Sequence, residues 1–302
     1  MSDFASDHVS GSTDVARAFL DGLERWAAID TSTSGPAFRA ALLAHLRSVQ
    51  AAQPTFALIH QLAARALAVA DSGVLRRDGV PDLRSHLAAS CVAERDDLAA
   101  SHAALARQAR ALIAERESWI ASLSNSAAVR DAMLELSRAG LAPRALIGEG
   151  RPRAEGRMLA AALAAAGIQV WLMVDAALPL LISQARAVWI GADAVTDQGV
   201  VNKIGSFALA LAAREHSVPV YALATRRKFI PAATGALRIV EQPPAEVWDS
   251  PVAGVQPRNV YFESVPLSLL RGVVVEDAVL GTTEAASLAR ERALPDELAA
   301  AP

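Results

Sequence analysis

The feature that most constrains the fold is a change of hydrophobic period near residue 141. Before it, from about Asp14 to Arg138, apolar residues recur three and four positions apart, which is typical of helices. After it, short apolar runs alternate with helical stretches, which predicts a parallel sheet covered on both faces. The sequence therefore predicts an α/β protein, with a helical N-terminal domain over residues 1–140 and an open α/β domain over residues 141–302.

The elements follow from the same patterns. In the first part the predicted helices are Asp14–Ala28, Pro36–Ala51, Thr55–Ala70 and a longer stretch, Pro81–Glu117. In the second part the predicted strands are the runs at 144–150, 168–174, 187–193 and 218–225, and a further strand is expected within 272–280. The helices predicted between these strands are Ala154–Ala166, Ala177–Gln184 and Lys203–His216.

One apolar stretch competes with this interpretation. Met158–Ile182 has 25 residues with a single Asp and a single Gln, which is long enough to cross a bilayer. Gly167, however, divides an alanine-rich helical part from a β-branched run, and Asp175 and Pro179 interrupt the residues after that run. We therefore interpret the stretch as a helix–strand unit of a soluble sheet and expect no membrane partner.

Charge and cysteine usage exclude several classes of protein. The 302 residues include 29 basic and 32 acidic side chains, which gives a net charge of −3. The chain therefore lacks the surplus of basic residues that is typical of proteins that bind nucleic acid or an anionic membrane. Cys91 is the single cysteine, which rules out a disulfide framework, a thiolate zinc site and an iron–sulfur cluster. The start of the chain is polar and acidic, unlike a secretory signal, and we expect a cytoplasmic protein.

Polar side chains follow the predicted strands at their carboxyl ends, where open parallel sheets bind ligands. Glu149 and Arg151 follow the first strand, Asp175 the second and Asp193 the third. The fourth strand runs into the cationic segment 225–228. This pattern indicates a ligand site at one edge of the sheet, although such residues also serve commonly as turn residues and helix caps.

The segment after the third strand predicts an anion site. A turn at 197–199 precedes Asn202, Lys203 and Gly205, which we expect to open a helix. Amides at a helix N-terminus favour an anion, and a lysine beside them suits a phosphate ester. No Walker motif, dinucleotide fingerprint or metal-ligand spacing occurs, so no cofactor and no metal are expected.

Three segments carry a resemblance to a known family. They are EGRPRAEGRMLAAALAAAGIQVWLMVDAA, GADAVTDQGVVNKIGSFALALAAREHSVPVYALATRRKF and YFESVPLSLLRGVVVEDAVL. They resemble the family of the alpha, beta and delta regulatory subunits of translation initiation factor 2B, which also contains the isomerases of ribose 1,5-bisphosphate and methylthioribose 1-phosphate. The resemblance covers about residues 115–280. It implies a helical N-terminal domain on a Rossmann-like C-terminal domain, and a homodimer or larger homo-oligomer.

The resemblance also implies roles for single residues. In the isomerases, an aspartate and a cysteine move a proton between adjacent sugar carbons, and the aspartate matches Asp193. An Asn-Lys pair that contacts substrate matches Asn202 and Lys203, and a lysine before phenylalanine matches Lys228. The cysteine position falls on Ser124, which is a departure. A thiol titrates near about 8.5 and can share a proton near neutral pH, whereas an unactivated serine hydroxyl is a far weaker acid.

Two classes of function stay open at this point. The first is a divergent aldose–ketose isomerase in which Asp193 is the base and Ser124, or another group, is the acid. The second is a non-catalytic regulatory subunit, or a sensor of a sugar phosphate or nucleotide, acting through protein–protein contacts. The isomerases' RGA signature is not evident, and Thr225 stands where they often have glutamate. The expected substrate-binding residues are Glu149, Arg151, Asn202, Lys203, Gly205 and Lys228.

Overall fold

The computed structural model describes residues 11–299, so the polar first ten residues lie outside the described part. The helices α1 to α9 are Ser12–Ile29, Gly35–Ala52, Ala57–Arg76, Val80–Arg110, Ala127–Arg138, Gly156–Ala165, Ser206–Glu215, Thr282–Glu291 and Asp296–Ala299. The strands β1 to β10 are Trp119–Leu123, Arg144–Gly148, Gln169–Met173, Ala185–Ile190, Ala194–Val195, Gly199–Lys203, Val220–Leu223, Phe262–Pro266, Gly272–Val274 and Val279–Leu280.

Helices α1 to α4 form the layer that the spacing of apolar residues predicts. Along α1, Val15, Phe19 and Leu23 recur every four positions and are fully buried against the other helices. Ser34 caps α2 by accepting a hydrogen bond from the third residue of that helix. The four predicted helices are confirmed, with shifts of one or two residues at most ends. The third continues to Arg76 rather than ending at Ala70, and the fourth ends at Arg110 rather than at residue 117.

The main sheet is mostly parallel, which confirms the predicted fold class. Its strand order is β10-β9-β7-β4-β1-β2-β3, and only the edge strand β10 runs antiparallel. Without β10, the order along the sheet is the doubly wound order of Rossmann-like folds, since β1 has β2 and β3 on one side and β4, β7 and β9 on the other. Buried side chains form one core on each face of this sheet.

Two predictions about elements are wrong. The stretch up to Arg138 is not helical throughout, because Trp119–Leu123 forms β1, the central strand. The start of the segment NKIG does not open a helix, since Asn202 and Lys203 end β6, which pairs with β5 and β8 in a small antiparallel sheet. The division of the chain near residue 140 stays a prediction, and β1 pairs across it with β2.

The apolar stretch 158–182 has the helix–strand form that the sequence indicates. It contains most of α6, the turn at Gly167 with φ of 78°, and β3. The remainder is a 3-10 helix, Asp175–Gln184, with Pro179 inside it. Among the residues that the structure describes, no helix combines the length and the apolar character that a membrane span requires.

Candidate functional site

A cavity opens where the strand order reverses, between the carboxyl ends of β1 and β4. In doubly wound sheets this switch point is the usual position of a ligand site. The loop after β1 forms one wall, the loop after β4 and the end of β6 form another, and the starts of α1 and α3 cover it. Its lining includes Ser12, Thr13, Thr55, Ser124, Asn125, Ser126, Glu155, Asp193, Asn202, Lys203, Lys228, Gln242 and Tyr261.

The backbone of Asp193 is held in place by two elements. Its N–H donates to the carbonyl oxygen of Val201 at 2.8 Å, and its own carbonyl accepts from the N–H of Ala57 at 3.0 Å. Asp193 is therefore fixed between β6 and the first residue of α3. Since α3 belongs to the helical layer, closing that layer over the sheet is what completes this part of the cavity.

Lys228 and Ser12 complete the surroundings of the Asp193 carboxyl. The buried Lys228 Nζ donates to Ser12 Oγ at 2.9 Å and to the carbonyl oxygen of Ala192 at 2.6 Å. The Ser12 side chain is also hydrogen-bonded to the Asp193 carboxyl. The first residue of α1 thus links a lysine and an aspartate that lie far away in the sequence.

Burial shifts the pKa of both charged groups. It raises the pKa of Asp193, against the opposing effects of Lys228, the Ser12 hydrogen bond and Lys203. It lowers the pKa of Lys228, against the opposing effect of Asp193. A carboxyl group with a raised pKa stays protonated up to a higher pH. Asp193 is therefore suited to donate a proton, whereas the sequence alone suggests that it acts as a base.

A second pair of opposite charges lies in the same cavity. Lys203, at the end of β6, is buried and donates from Nζ to Glu155 Oε1 at 2.8 Å. Its Nζ also lies 4.9 Å from the centroid of the Tyr261 ring. Glu155 immediately precedes α6 and is not among the predicted site residues. Its position as the second glutamate of EGRPRAEG, next to a helix start, is the signal from which it could have been found.

The start of α7, where the sequence predicts an anion site, lies outside the lining of this cavity. Asn202 donates from Nδ2 to Ser206 Oγ at 2.9 Å, which fixes the turn before the helix. Gly205 is the N-cap, with φ of 98°. The N–H of Phe207 already donates to Glu263 Oε1 at 2.8 Å. Asn202 and Lys203 line the cavity, whereas Gly205 is not among its lining residues.

Two other helices present their first turns to the cavity instead. Gly11, Ser12 and Thr13 begin α1, and residues 125–127 begin α5. First-turn amides have no partner within their own helix and carry the positive end of its dipole. Gly191 permits the approach of α5, because a Cβ atom at that position would lie 2.6 Å from Ser126 Oγ.

Ser124 comes directly after β1, between the strand and α5. It is buried and lines the cavity, with φ of 65° and its N–H donating to the carbonyl oxygen of Gly148 at 3.2 Å. A non-glycine residue with this φ is uncommon and frequent at functional sites. The structure thus brings Ser124 into one cavity with Asp193, Asn202, Lys203 and Lys228.

Glu149 and Arg151 lie outside the lining of this cavity. Glu149 accepts from Arg157 Nη2 at 2.7 Å through its Oε2 atom. Arg151 is exposed, and its N–H donates to Asp175 Oδ2 at 2.7 Å, while Asp175 Oδ1 accepts from the N–H of Gly150 at the same distance. Asp175 therefore holds the turn after β2, and the carboxylates expected to converge with Asp193 are used in local structure.

Comparison with known proteins identifies the family of the chain. The Initiation factor 2 subunit family matches residues 8–294. The ribose 1,5-bisphosphate isomerase of Archaeoglobus fulgidus is 34% identical over 157 residues, covering 50% of this chain and 50% of the relative. The methylthioribose-1-phosphate isomerase of Synechococcus sp. strain CC9902 is 35% identical over 161 residues, covering 50% and 48%. The chain spans about half the length of these curated relatives.

A solved structure matches over nearly the full chain. The crystal structure of the Pyrococcus horikoshii OT3 translation initiation factor eIF-2B has a TM-score of 0.78 and 23% identity, covering 92% of this chain and 94% of the other. This likeness shows a shared fold. The resemblance stated from the sequence is confirmed by the match over residues 8–294, and the chain belongs to the Initiation factor 2 subunit family.

Proposed function

We propose that the cavity binds a phosphorylated sugar and that the chain acts on it as a divergent aldose–ketose isomerase. The observation that carries the proposal is the set of groups around Asp193. A carboxyl whose pKa is raised by burial faces a cavity that also holds two lysines and the first turns of two helices. Two relatives that are about one third identical are named as isomerases of sugar phosphates.

The first turns of α1 and α5 support a site for the phosphate. Both helices are longer than three turns, at 18 and 12 residues, and both begin at the cavity wall. Helix N-termini bind phosphate because their free amides point at the anion and their dipoles favour negative charge. The hydroxyl group of Ser126 adds a donor at the start of α5, whereas that of Ser12 is engaged by Lys228 and Asp193.

The charges in the cavity limit how many phosphate groups it can hold. Among the described residues that line it, the carboxyl and ammonium groups are those of Glu155, Asp193, Lys203 and Lys228. With Asp193 protonated as the acid, Glu155 offsets one of the two ammonium groups and a single positive charge is left. A single phosphate can be held by the helix N-termini, whereas a second dianionic group would lack a matching cation. We therefore expect a sugar monophosphate to bind better than a bisphosphate.

Asp193 supplies the acid in this reaction. Isomerisation of an aldose 1-phosphate requires the ring to open, and the ring oxygen must receive a proton as its bond to C1 breaks. A carboxyl group with a raised pKa is a suitable donor for that step. Lys228 then stabilises the carboxylate that remains, because its ammonium group acts on Asp193 electrostatically.

The test combines binding with turnover. Ribose 1-phosphate should raise the melting temperature more than ribose 1,5-bisphosphate, and NMR should detect the ketose formed from it. Asp193→Asn should abolish turnover and retain a thermal shift. Asp197→Asn is the matched control, since Asp197 accepts from the N–H of Ala232 at 2.9 Å and is not among the residues that line the cavity. Equal turnover in Asp193→Asn and the parent would refute the assignment.

A non-catalytic role is the second candidate, and one observation favours it. The position that matches the isomerases' cysteine is Ser124, which is a poor proton-transfer group on its own. Thermal stabilisation by sugar phosphates or nucleoside monophosphates, without ketose formation by the parent, would support a sensor or regulatory subunit instead of an enzyme.

A further inference from the structure

One carboxylate oxygen in the cavity is buried without a partner. Glu155 is 7% exposed, and its Oε1 atom accepts from Lys203 Nζ at 2.8 Å. Its Oε2 atom has no hydrogen-bond partner among the residues that the structure describes. Buried polar atoms are nearly always satisfied, and an orphaned one costs free energy. Glu155 lines the cavity, so a molecule bound there lies next to this residue.

Glu155 Oε2 lies beside the position that matches the isomerases' cysteine. A Cβ atom built on Gly150 would be 3.2 Å from Glu155 Oε2 and 3.1 Å from Ser124 Cβ. Gly150, with φ of 78°, therefore packs closely against both side chains at the ends of β1 and β2. A group that is able to transfer a proton therefore lies close to a serine that lacks this ability.

We propose that Glu155 is the second catalytic residue of this cavity and performs the proton transfer at carbon. This inference rests on the proposed isomerase function and extends it. The ion pair with Lys203 fixes the carboxylate through Oε1 and leaves the lone pairs of Oε2 to act as a base. Asp193 and Glu155 form an acid–base pair in which each carboxyl group has its own lysine.

The reaction balances with these two groups. The Asp193 carboxyl donates its proton to the ring oxygen as the C1–O bond breaks. Glu155 removes the proton from C2, and the electron pair of that C–H bond forms the C1=C2 bond of an enol. Glu155 then returns this proton to C1, the enol hydroxyl gives its proton to the Asp193 carboxylate, and the C2=O bond forms. Both residues end in their starting states, and no oxidant or other reactant is needed.

Cys91 cannot take this role. It lies in the middle of α4, buried in the core of the helical layer, and not in the cavity. Burial raises the pKa of its thiol to about 12. Ser124 and Glu155 both pack against Gly150, and the Ser124 hydroxyl group can position substrate by hydrogen bonding without transferring a proton.

Glu155→Gln tests the proposal, because it keeps the size and the Oε1 acceptor and removes the base. We expect kcat for ribose 1-phosphate to fall about 10²–10⁴-fold, with KM changed less than about threefold. Glu94→Gln is the matched control, since Glu94 is also 7% exposed and is paired with Arg65 at 2.9 Å, outside the cavity.

A second variant covers the case in which Glu155→Gln does not fold. Glu155→Ala leaves space for a small carboxylate, and sodium formate should restore part of its activity in proportion to concentration. Parent-like kcat in either folded variant, or inactivity of Glu155→Ala that formate leaves unchanged, would overturn the role of Glu155. Lack of ketose formation by the parent would instead reject the proposed isomerase function, and with it this inference.

Discussion

In the proposed mechanism Glu155 performs the proton transfer that a cysteine would perform at the position of Ser124, and this gives a prediction for the double variant. Ser124→Cys introduces a thiol, with an ordinary pKa of about 8.5, into the cavity that Glu155 also lines. In the Glu155→Gln background we expect Ser124→Cys to restore turnover about tenfold or more, because a general acid–base group is worth at least that much. The measurement is ketose formation by NMR.

Ser124→Ala in the same background is the control for this rescue. It removes the hydroxyl group without adding a thiol, so turnover should stay at the level of Glu155→Gln alone. If Ser124→Ala and Ser124→Cys raised turnover equally, the increase would come from the loss of the serine hydroxyl. That result would contradict a proton-transfer role at this position.

Asp193 also makes a prediction about stability and pH. Because burial raises its pKa, the folded chain keeps a proton that the unfolded chain releases. This contribution to stability is complete below the ordinary aspartate pKa of about 3.9 and is lost as the pH rises through the raised value. Asparagine has no proton to lose, so the unfolding free energy of Asp193→Asn, relative to the parent, should increase with pH.

Urea unfolding of both proteins between about pH 4 and pH 7 measures this difference. A difference that falls with rising pH would mean that the pKa of Asp193 is lowered in the folded chain. In that case Asp193 would be suited to accept a proton, as the sequence alone indicates. The proposed reaction would then lack the acid that acts together with Glu155 as the base.

At the scale of elements, the start of α5 depends on Gly191. A Cβ atom there would meet Ser126 Oγ at 2.6 Å and Ser126 Cβ at 2.9 Å, so Gly191→Ala must push the N-cap of α5 away from β4. We expect a loss of about 1–3 kcal/mol in unfolding free energy, as for overpacking in a core. The thermal shift caused by ribose 1-phosphate should disappear, because the first-turn amides of α5 move.

Gly281→Ala is the matched control for this prediction. Gly281 also lies between a strand and a helix, but a Cβ atom there would meet only Glu284 Oε2, at the ordinary distance of 3.6 Å. Its stability should change by a few tenths of a kcal/mol, about the difference between glycine and alanine at an N-cap. Ligand binding that survives in Gly191→Ala would remove α5 from the phosphate site.

The sequence predicts the strands at 144–150, 168–174 and 218–225 because each is a short apolar run between helical stretches. It does not predict β1, because WIASL lies within a long stretch whose apolar residues otherwise recur three and four positions apart. Asn202 and Lys203 were assigned to the wrong element, since the strand β6 is defined by its pairing with β8, about 60 residues away.

The cavity was predicted from the sequence only in part. Asp193, Ser124, Asn202, Lys203 and Lys228 were named and line it. The contribution of α1 could not be predicted from local patterns, because it depends on a contact between residues 12 and 228 that exists only after the helical layer closes over the sheet. Glu155 was missed for a related reason, since its unpaired oxygen is a property of the packed cavity.

For the whole molecule, the resemblance and the surface both favour association of two copies. β3 is the edge strand opposite β10, and its free edge carries Trp171 and Leu172 with 41% and 44% of their surfaces exposed. Nearby exposed apolar residues are Met158, Val174 and Leu180. An open apolar edge strand pairs readily with another chain, so we expect a homodimer in which this edge is covered.

Leu172→Lys is the variant that tests this expectation, because it places a charge on the exposed edge without entering the core. The parent should be at least a dimer by light scattering at micromolar concentration, and Leu172→Lys should shift toward the monomer with a native circular dichroism spectrum. Val279→Lys is the control on the opposite edge of the sheet, where Val279 is 40% exposed on β10, and it should leave the mass unchanged. A monomeric parent would exclude the dimer, whereas a dimeric Leu172→Lys would mean that the interface lies on another surface.

Because the cavity at β1 and β4 is separated from β3 by β2, the monomer should keep the thermal shift with ribose 1-phosphate.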